Sequence, residues 1–127
     1  MTRLPLTLTI LAFIPLISGC HARQTAITRG SLVGSYVYVS EDPEDIPSKH
    51  NLSQLVLRPD GTFELVEGGT TKPPTKTSGT WTLEEGVQSG QDVVLGHAGY
   101  PVRVTSNQIR LLVDDDVGIW WAKTNTR

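Results

Sequence analysis

Between positions 32 and 123 the chain alternates between short runs of β-forming residues and clusters of turn formers. The runs are 32–39 (LVGSYVYV), 52–57, 62–66, 80–83, 93–95, 100–105, 108–113 and 117–123. Each is rich in β-branched, aromatic or alternating apolar residues and so predicts a strand. Pro59-Asp60-Gly61 predicts a hairpin turn: Pro presets φ, Asp bonds the local backbone, and Gly adopts positive φ. Ser106-Asn107 and Asp114-Asp115-Asp116 predict two further turns, and Pro101 stands at a strand start, where a missing N–H is tolerated. The acidic, Pro-containing 41–49 and the Gly/Thr/Pro/Lys-rich 67–78 predict loops, the second long and exposed. No segment of this region keeps a 3.6-residue period over a helix length.

Eight short strands with hairpin-length connections predict an all-β sandwich or barrel. An up-and-down antiparallel meander is the simplest topology, because sequential strands tend to pair. Closing it removes the exposed edges. The period of two then points inward Leu55 with Leu57, Phe63 with Leu65, Trp81 with Leu83, Val102 with Val104, Ile109 with Leu111, and Ile119 with Trp121.

The first residues follow another logic. Arg3 and the amino terminus precede an apolar stretch from Leu4 to Ile17, interrupted by Pro5 and Pro15. That stretch is shorter than the roughly 20 residues a spanning helix needs, and has the form of a secretory signal. Ile17-Ser18-Gly19-Cys20 resembles the bacterial lipobox. The resemblance implies cleavage before Cys20, a lipid on its thiol and acylation of its new amino group. More than one acyl chain is what stable anchoring requires. An ordinary secreted protein cut after Ala22 is the competing reading. His21, not Asp, follows Cys20, which by resemblance to the Gram-negative sorting rule implies the outer membrane, facing the periplasm. The expected organisation is a signal peptide over 1–19, lipidated Cys20 with a flexible tether over 20–31, a β domain over 32–123 and a tail over 124–127.

Composition narrows the function classes. The 127 residues carry 11 Lys+Arg against 13 Asp+Glu. With no basic excess, a nucleic-acid surface is not expected. The single Cys excludes an intramolecular disulfide and a multi-Cys zinc site.

Two motifs carry a further resemblance. Residues 55–63 read L-x-L-x-x-D-G-T-F, and 79–83 read G-T-W-x-L, with Gly34-Ser35-Tyr36 upstream. Together they resemble the small lipocalin-like lipoproteins of bacterial envelopes. The resemblance spans about residues 32–123 and implies an eight-stranded up-and-down, lipocalin-like barrel. Tyr36 stands where lipocalins proper have the Trp of their first strand. The mature chain also lacks the Cys-x-x-Cys of copper-linked relatives, so thiol chemistry is not implied.

No residue set points to catalysis. His21, His50 and His97 share no metal-ligand spacing, and neither a nucleophile elbow nor a phosphate loop is present. The three consecutive aspartates at 114–116 splay apart, unlike the alternating ligands of a calcium loop. No metal or cofactor is expected. The acidic, Pro-containing 41–45 loop reads as exposed; in a lipocalin-like barrel it would cover the mouth, with Ile46 as its one apolar contact. In Trp120-Trp121 one ring can join the core, and the other looks outward or is covered by a loop.

The expected function is therefore that of a non-catalytic, monomeric envelope lipoprotein, held to its membrane through Cys20. One version binds a small apolar or amphipathic ligand in a cavity lined by Tyr36, Phe63, Trp81 and Trp121. The alternative is a protein-interaction module, an envelope sensor or inhibitor, contacting its partner through the 41–45 or 67–78 loop.

Overall fold

All eight strands form, and the first pairs with the last. In the computed structural model, which describes residues 27–86 and 90–125, the strands are β1 (Gly34–Ser40), β2 (Gln54–Leu57), β3 (Thr62–Glu67), β4 (Thr75–Glu85), β5 (Gln91–Leu95), β6 (Ala98–Thr105), β7 (Gln108–Asp114) and β8 (Ile119–Lys123). They make one closed, all-antiparallel, up-and-down barrel. Closure runs from Tyr36 opposite Lys123 to Ser40 opposite Ile119. Every strand thus has two neighbours, and no ladder edge is left open. The expected leader over 1–19, Cys20 and His21 lie outside the described residues.

The turns follow their residue chemistry. In the β2–β3 turn, Asp60 Oδ1 accepts from the Thr62 amide at 2.9 Å and the Thr62 hydroxyl at 2.7 Å. Gly61 takes φ +85, a region closed to most side chains. Ser106 and Asn107 both have positive φ, at 48 and 67, the backbone of a two-residue hairpin.

Several strand ends shift by about two residues from the sequence expectation, and two boundaries shift further. β4 begins at Thr75, inside the predicted 67–78 loop, and is eleven residues long. Its Thr75–Thr80 half pairs with β3, and its Trp81–Glu85 half pairs with β5. Polar side chains outside and Gly79 against Phe63 hide this strand from a hydrophobic pattern. The second difference is at the entrance to the barrel. Residues 28–32, expected within or next to a flexible tether, fold into the capped turn α1 (Arg29–Leu32), with Thr28 as N-cap. Leu32 is fully buried and Ile27 packs on the core, so this segment plugs one end.

The core holds Leu32, Tyr36, Phe63, Trp81, Val93 and Trp121 with the leucines of β2, β3 and β5 and Leu111 of β7. An eight-stranded barrel is just wide enough for its own side chains to fill. Val104, expected inside, is 55% exposed. It sits near the tip of the β6–β7 hairpin, where pairing with Ile109 ends one residue pair later.

The Tyr36 hydroxyl donates to the Leu32 carbonyl at 2.6 Å in the buried plug. Tyr36→Phe should leave that carbonyl without its donor and cost about 1–3 kcal/mol. Urea denaturation would register it as a lower midpoint with an unchanged slope.

Candidate functional site

The end opposite the plug is built from β1 and the segment that follows it. Alternation along β1 points Tyr36, Tyr38 and Ser40 inward at successive heights, and the last two reach the mouth. The chain then turns across the opening. The Ser40 hydroxyl accepts from the Asp42 amide at 3.2 Å, and Asp42 Oδ1 accepts from the Glu44 amide at 2.9 Å. Pro47, with φ already helical, starts a 3-10 turn over Pro47–Lys49. His50 follows directly, its amide donating to the Pro47 carbonyl at 3.0 Å.

These turns bring three side chains together. Asp45 Oδ2 accepts from the Tyr38 hydroxyl at 3.3 Å, and Asp45 Oδ1 lies 3.1 Å from His50 Nε2. The His50 ring stacks on Tyr38 with centroids 4.5 Å apart. Tyr38 also meets Trp121 edge-on at 5.6 Å, which links the mouth to the core. A second loop clamps the first. Asn51 Oδ1 accepts from the Thr70 amide at 2.9 Å, and the Ser48 carbonyl accepts from the Thr71 amide at 3.1 Å. Buried Ser53 exchanges bonds with the Gly68 amide and carbonyl.

Between β1 and this lid lies a cavity of about 290 Å³, lined by Tyr38, Ser40, Asp42, Asp45, Pro47, His50 and Asn51. Tyr38 and Pro47 offer apolar surface, while Asp42 and Asp45 offer acceptors. Such a lining suits a small amphipathic molecule, and nothing among the described residues groups three metal-ligating side chains.

Electrostatics in the mouth follow the same contacts. Partial burial first, then the negative charge of Asp45, push the Tyr38 hydroxyl up to about 12, so it stays protonated as a donor. The Asp45 carboxyl is held below its usual range by a hydrogen bond from Ser40, and further by His50 and Tyr38. A lowered folded value means that Asp45 stabilises the lid above the unfolded carboxyl pKa of about 3.9. That stabilisation fades as pH falls below this value and through the lowered one. Acid titration of the wild type should therefore loosen the lid on that limb, and Asp45→Asn should flatten it. Amide exchange at residues 46–53 measures both.

The residues expected to line a cavity lie elsewhere. Tyr36, Phe63, Trp81 and Trp121 are each at most 4% exposed within the core, and none lines the mouth cavity. They are buried members of the barrel core. Ile46, the expected apolar contact of the lid, is 48% exposed, and Asp45 and His50 make the contact instead. His50, which shares no ligand spacing with the other histidines, is held in the lid by Asp45 and by stacking on Tyr38. His97 is exposed on the β5–β6 turn. Of the three aspartates, Asp115 pairs with Arg103 at 2.9 Å, and Asp114 accepts from the Asp116 amide. Trp121 is the inward member of its pair. Trp120 faces outward beneath the Arg110 guanidinium, 4.4 Å from the ring centroid, with its Nε1 buried and unpartnered among the described residues.

A further cavity, about 410 Å³, lies at the plugged end beside Ile109, Lys123 and Thr124. Lys123 there donates to the Ser31 carbonyl and so ties α1 to β8. Comparison with protein-family models, with curated proteins and with solved structures finds no match.

Proposed function

We propose that this chain is a lipid-anchored envelope protein of lipocalin-like architecture that takes a small amphipathic ligand at the mouth of its barrel. The observation that supports the binding half is the cavity between Tyr38 and the 41–53 lid, beside a core occupied by its own aromatic side chains. Its size lies at the lower bound of small-molecule pockets, about 300 Å³. A ligand there places an apolar part on Tyr38 and Pro47 and a hydrogen-bond donor toward Asp42 or Asp45. No step of chemistry is assigned to it. The anchoring half is supported by the 17–20 motif alone, and outer-membrane placement facing the periplasm by His21.

A second reading has its own support. Of the exposed large aliphatics, Ile46, Leu52, Val113 and Val117 all lie on the mouth loops or the strand end beside them. Apolar groups set among carboxylates on one rim suit contact with a basic protein partner.

The test is a fluorescence titration of the 21–127 chain with fatty acids, amphipathic amines and neutral apolar probes. Saturable change that is lost in Tyr38→Ala but kept in Phe63→Leu supports the mouth site. Absence of any saturable response to the panel would favour the protein-contact reading. Intact mass of the purified full-length product tests the lipid on Cys20.

A further inference from the structure

We infer that the anchored barrel stands with its plugged end toward the membrane and its mouth toward the aqueous space. This rests on the lipid-anchored reading above. Two separate features carry it: where the chain enters the barrel and how charge divides between the two ends.

The chain enters at the plug. Ile27 bonds through its amide to Gln91 Oε1 at 2.9 Å, and Arg29 lies 4.3 Å above the Trp81 ring. Ile27 is seven chain steps from Cys20, a reach of at most about 25 Å. β8 ends at the same plug, where Thr124 donates to the Ser35 carbonyl at 2.8 Å. β1, seven residues long and tilted as barrel strands are, rises about 17 Å to the mouth. Its lid then lies farther still from the point of attachment.

Charge divides in the same sense. Segments 41–45 and 114–116 hold seven of the 13 acidic residues and bracket one side of the mouth, where the Glu41 amide bonds the Gly118 carbonyl at 2.8 Å. On the mouth loops Lys49 and Lys72 oppose them, and Arg103 reaches Asp115 from the barrel wall. At the plug, Asp60, Glu84, Glu85 and Asp92 stand against Arg29, Arg58 and Lys123, which is near balance. Arg23, in the segment between lipid and plug, adds a positive charge. An anionic lipid surface repels carboxylates and attracts Lys and Arg within a Debye length, about 8 Å at physiological salt. Tipping the mouth onto such a surface brings the acidic rim into that layer, whereas standing on the plug does not. The cavity and its apolar rim therefore face solutes and proteins beyond the membrane, not the bilayer that holds the chain.

The test uses the full lipidated chain in vesicles of phosphatidylglycerol and phosphatidylcholine carrying a headgroup energy acceptor. His97→Cys places a maleimide dye at the mouth, and Thr105→Cys places one near the plug. Cys20 is the only native cysteine, so a lipidated wild type takes up no dye. Transfer from position 105 should exceed that from position 97 severalfold. Equal transfer, or greater transfer from 97, on vesicle-bound protein overturns the orientation alone. A wild type that accepts dye and fails to float with vesicles overturns the anchor, and the orientation with it.

Discussion

Trp81→Ala is expected to lower the stability of the barrel by about 3–5 kcal/mol, a large part of the 5–15 kcal/mol that a domain of this size commands. The ring is 1% exposed and stands where β4 passes from β3 to β5. Its Nε1–H donates to the Arg58 carbonyl at 2.9 Å, fastening the β2–β3 turn. Its face carries the Arg29 guanidinium, so the plug rests on it as well. Alanine therefore leaves a cavity, an orphaned carbonyl and a loosened α1 together. Trp81→Phe keeps most of the burial and loses the indole donor, for a smaller cost of about 1 kcal/mol. Urea denaturation of the two variants separates volume from hydrogen bonding.

Gly69→Ala is expected to lift the lid. Gly69 is buried, and a Cβ there would fall 2.6 Å from Asn51 Oδ1, 2.7 Å from the Lys49 carbonyl carbon and closer still to the Ser48 carbonyl oxygen. Two of these contacts are to backbone, which cannot rotate away. The 48–51 segment must shift, and it carries His50. Overpacking of this kind costs about 1–3 kcal/mol. Its local signature is faster exchange of the Lys49, His50 and Ser53 amides, with β4–β8 protection retained. Ligand affinity at the mouth should fall about tenfold, which corresponds to about 1.4 kcal/mol of lid free energy.

The strand pattern was legible in the sequence because barrel alternation is local. Leu55, Leu57, Phe63 and Leu65 lie two apart in sequence and share a face by geometry alone. The up-and-down order followed from short connections, and closure from the need to pair β1 with β8. Where side chains are polar on both sides, the signal disappears: Thr75 to Ser78 is strand, yet it reads as loop. The plug was hidden for a different reason. Thr28 to Leu32 is one turn, too short for any period, and only Leu32 and Ile27 meet the core.

The mouth was the least legible part. Tyr38, Asp45 and His50 are spread over twelve intervening steps of chain, with no fixed spacing and two prolines between them. Their meeting depends on the path of a loop, which depends in turn on Gly69 and Ser53 in contacts between the two adjacent mouth loops. The aromatic residues were correctly read as inward, but inwardness left open whether they would line a space or fill it. Volume decides that, and volume is a sum over all eight strands.

A ligand bound at the mouth and one bound in the barrel interior are distinguished by heteronuclear NMR titration of the labelled 21–127 chain with the best binder of the panel. Saturable shifts centred on Tyr38, Asp45, His50 and Asn51, with Phe63 and Trp81 unmoved, are the predicted result. Shifts centred on Phe63, Trp81 and Leu95, with the lid residues unmoved, would contradict it.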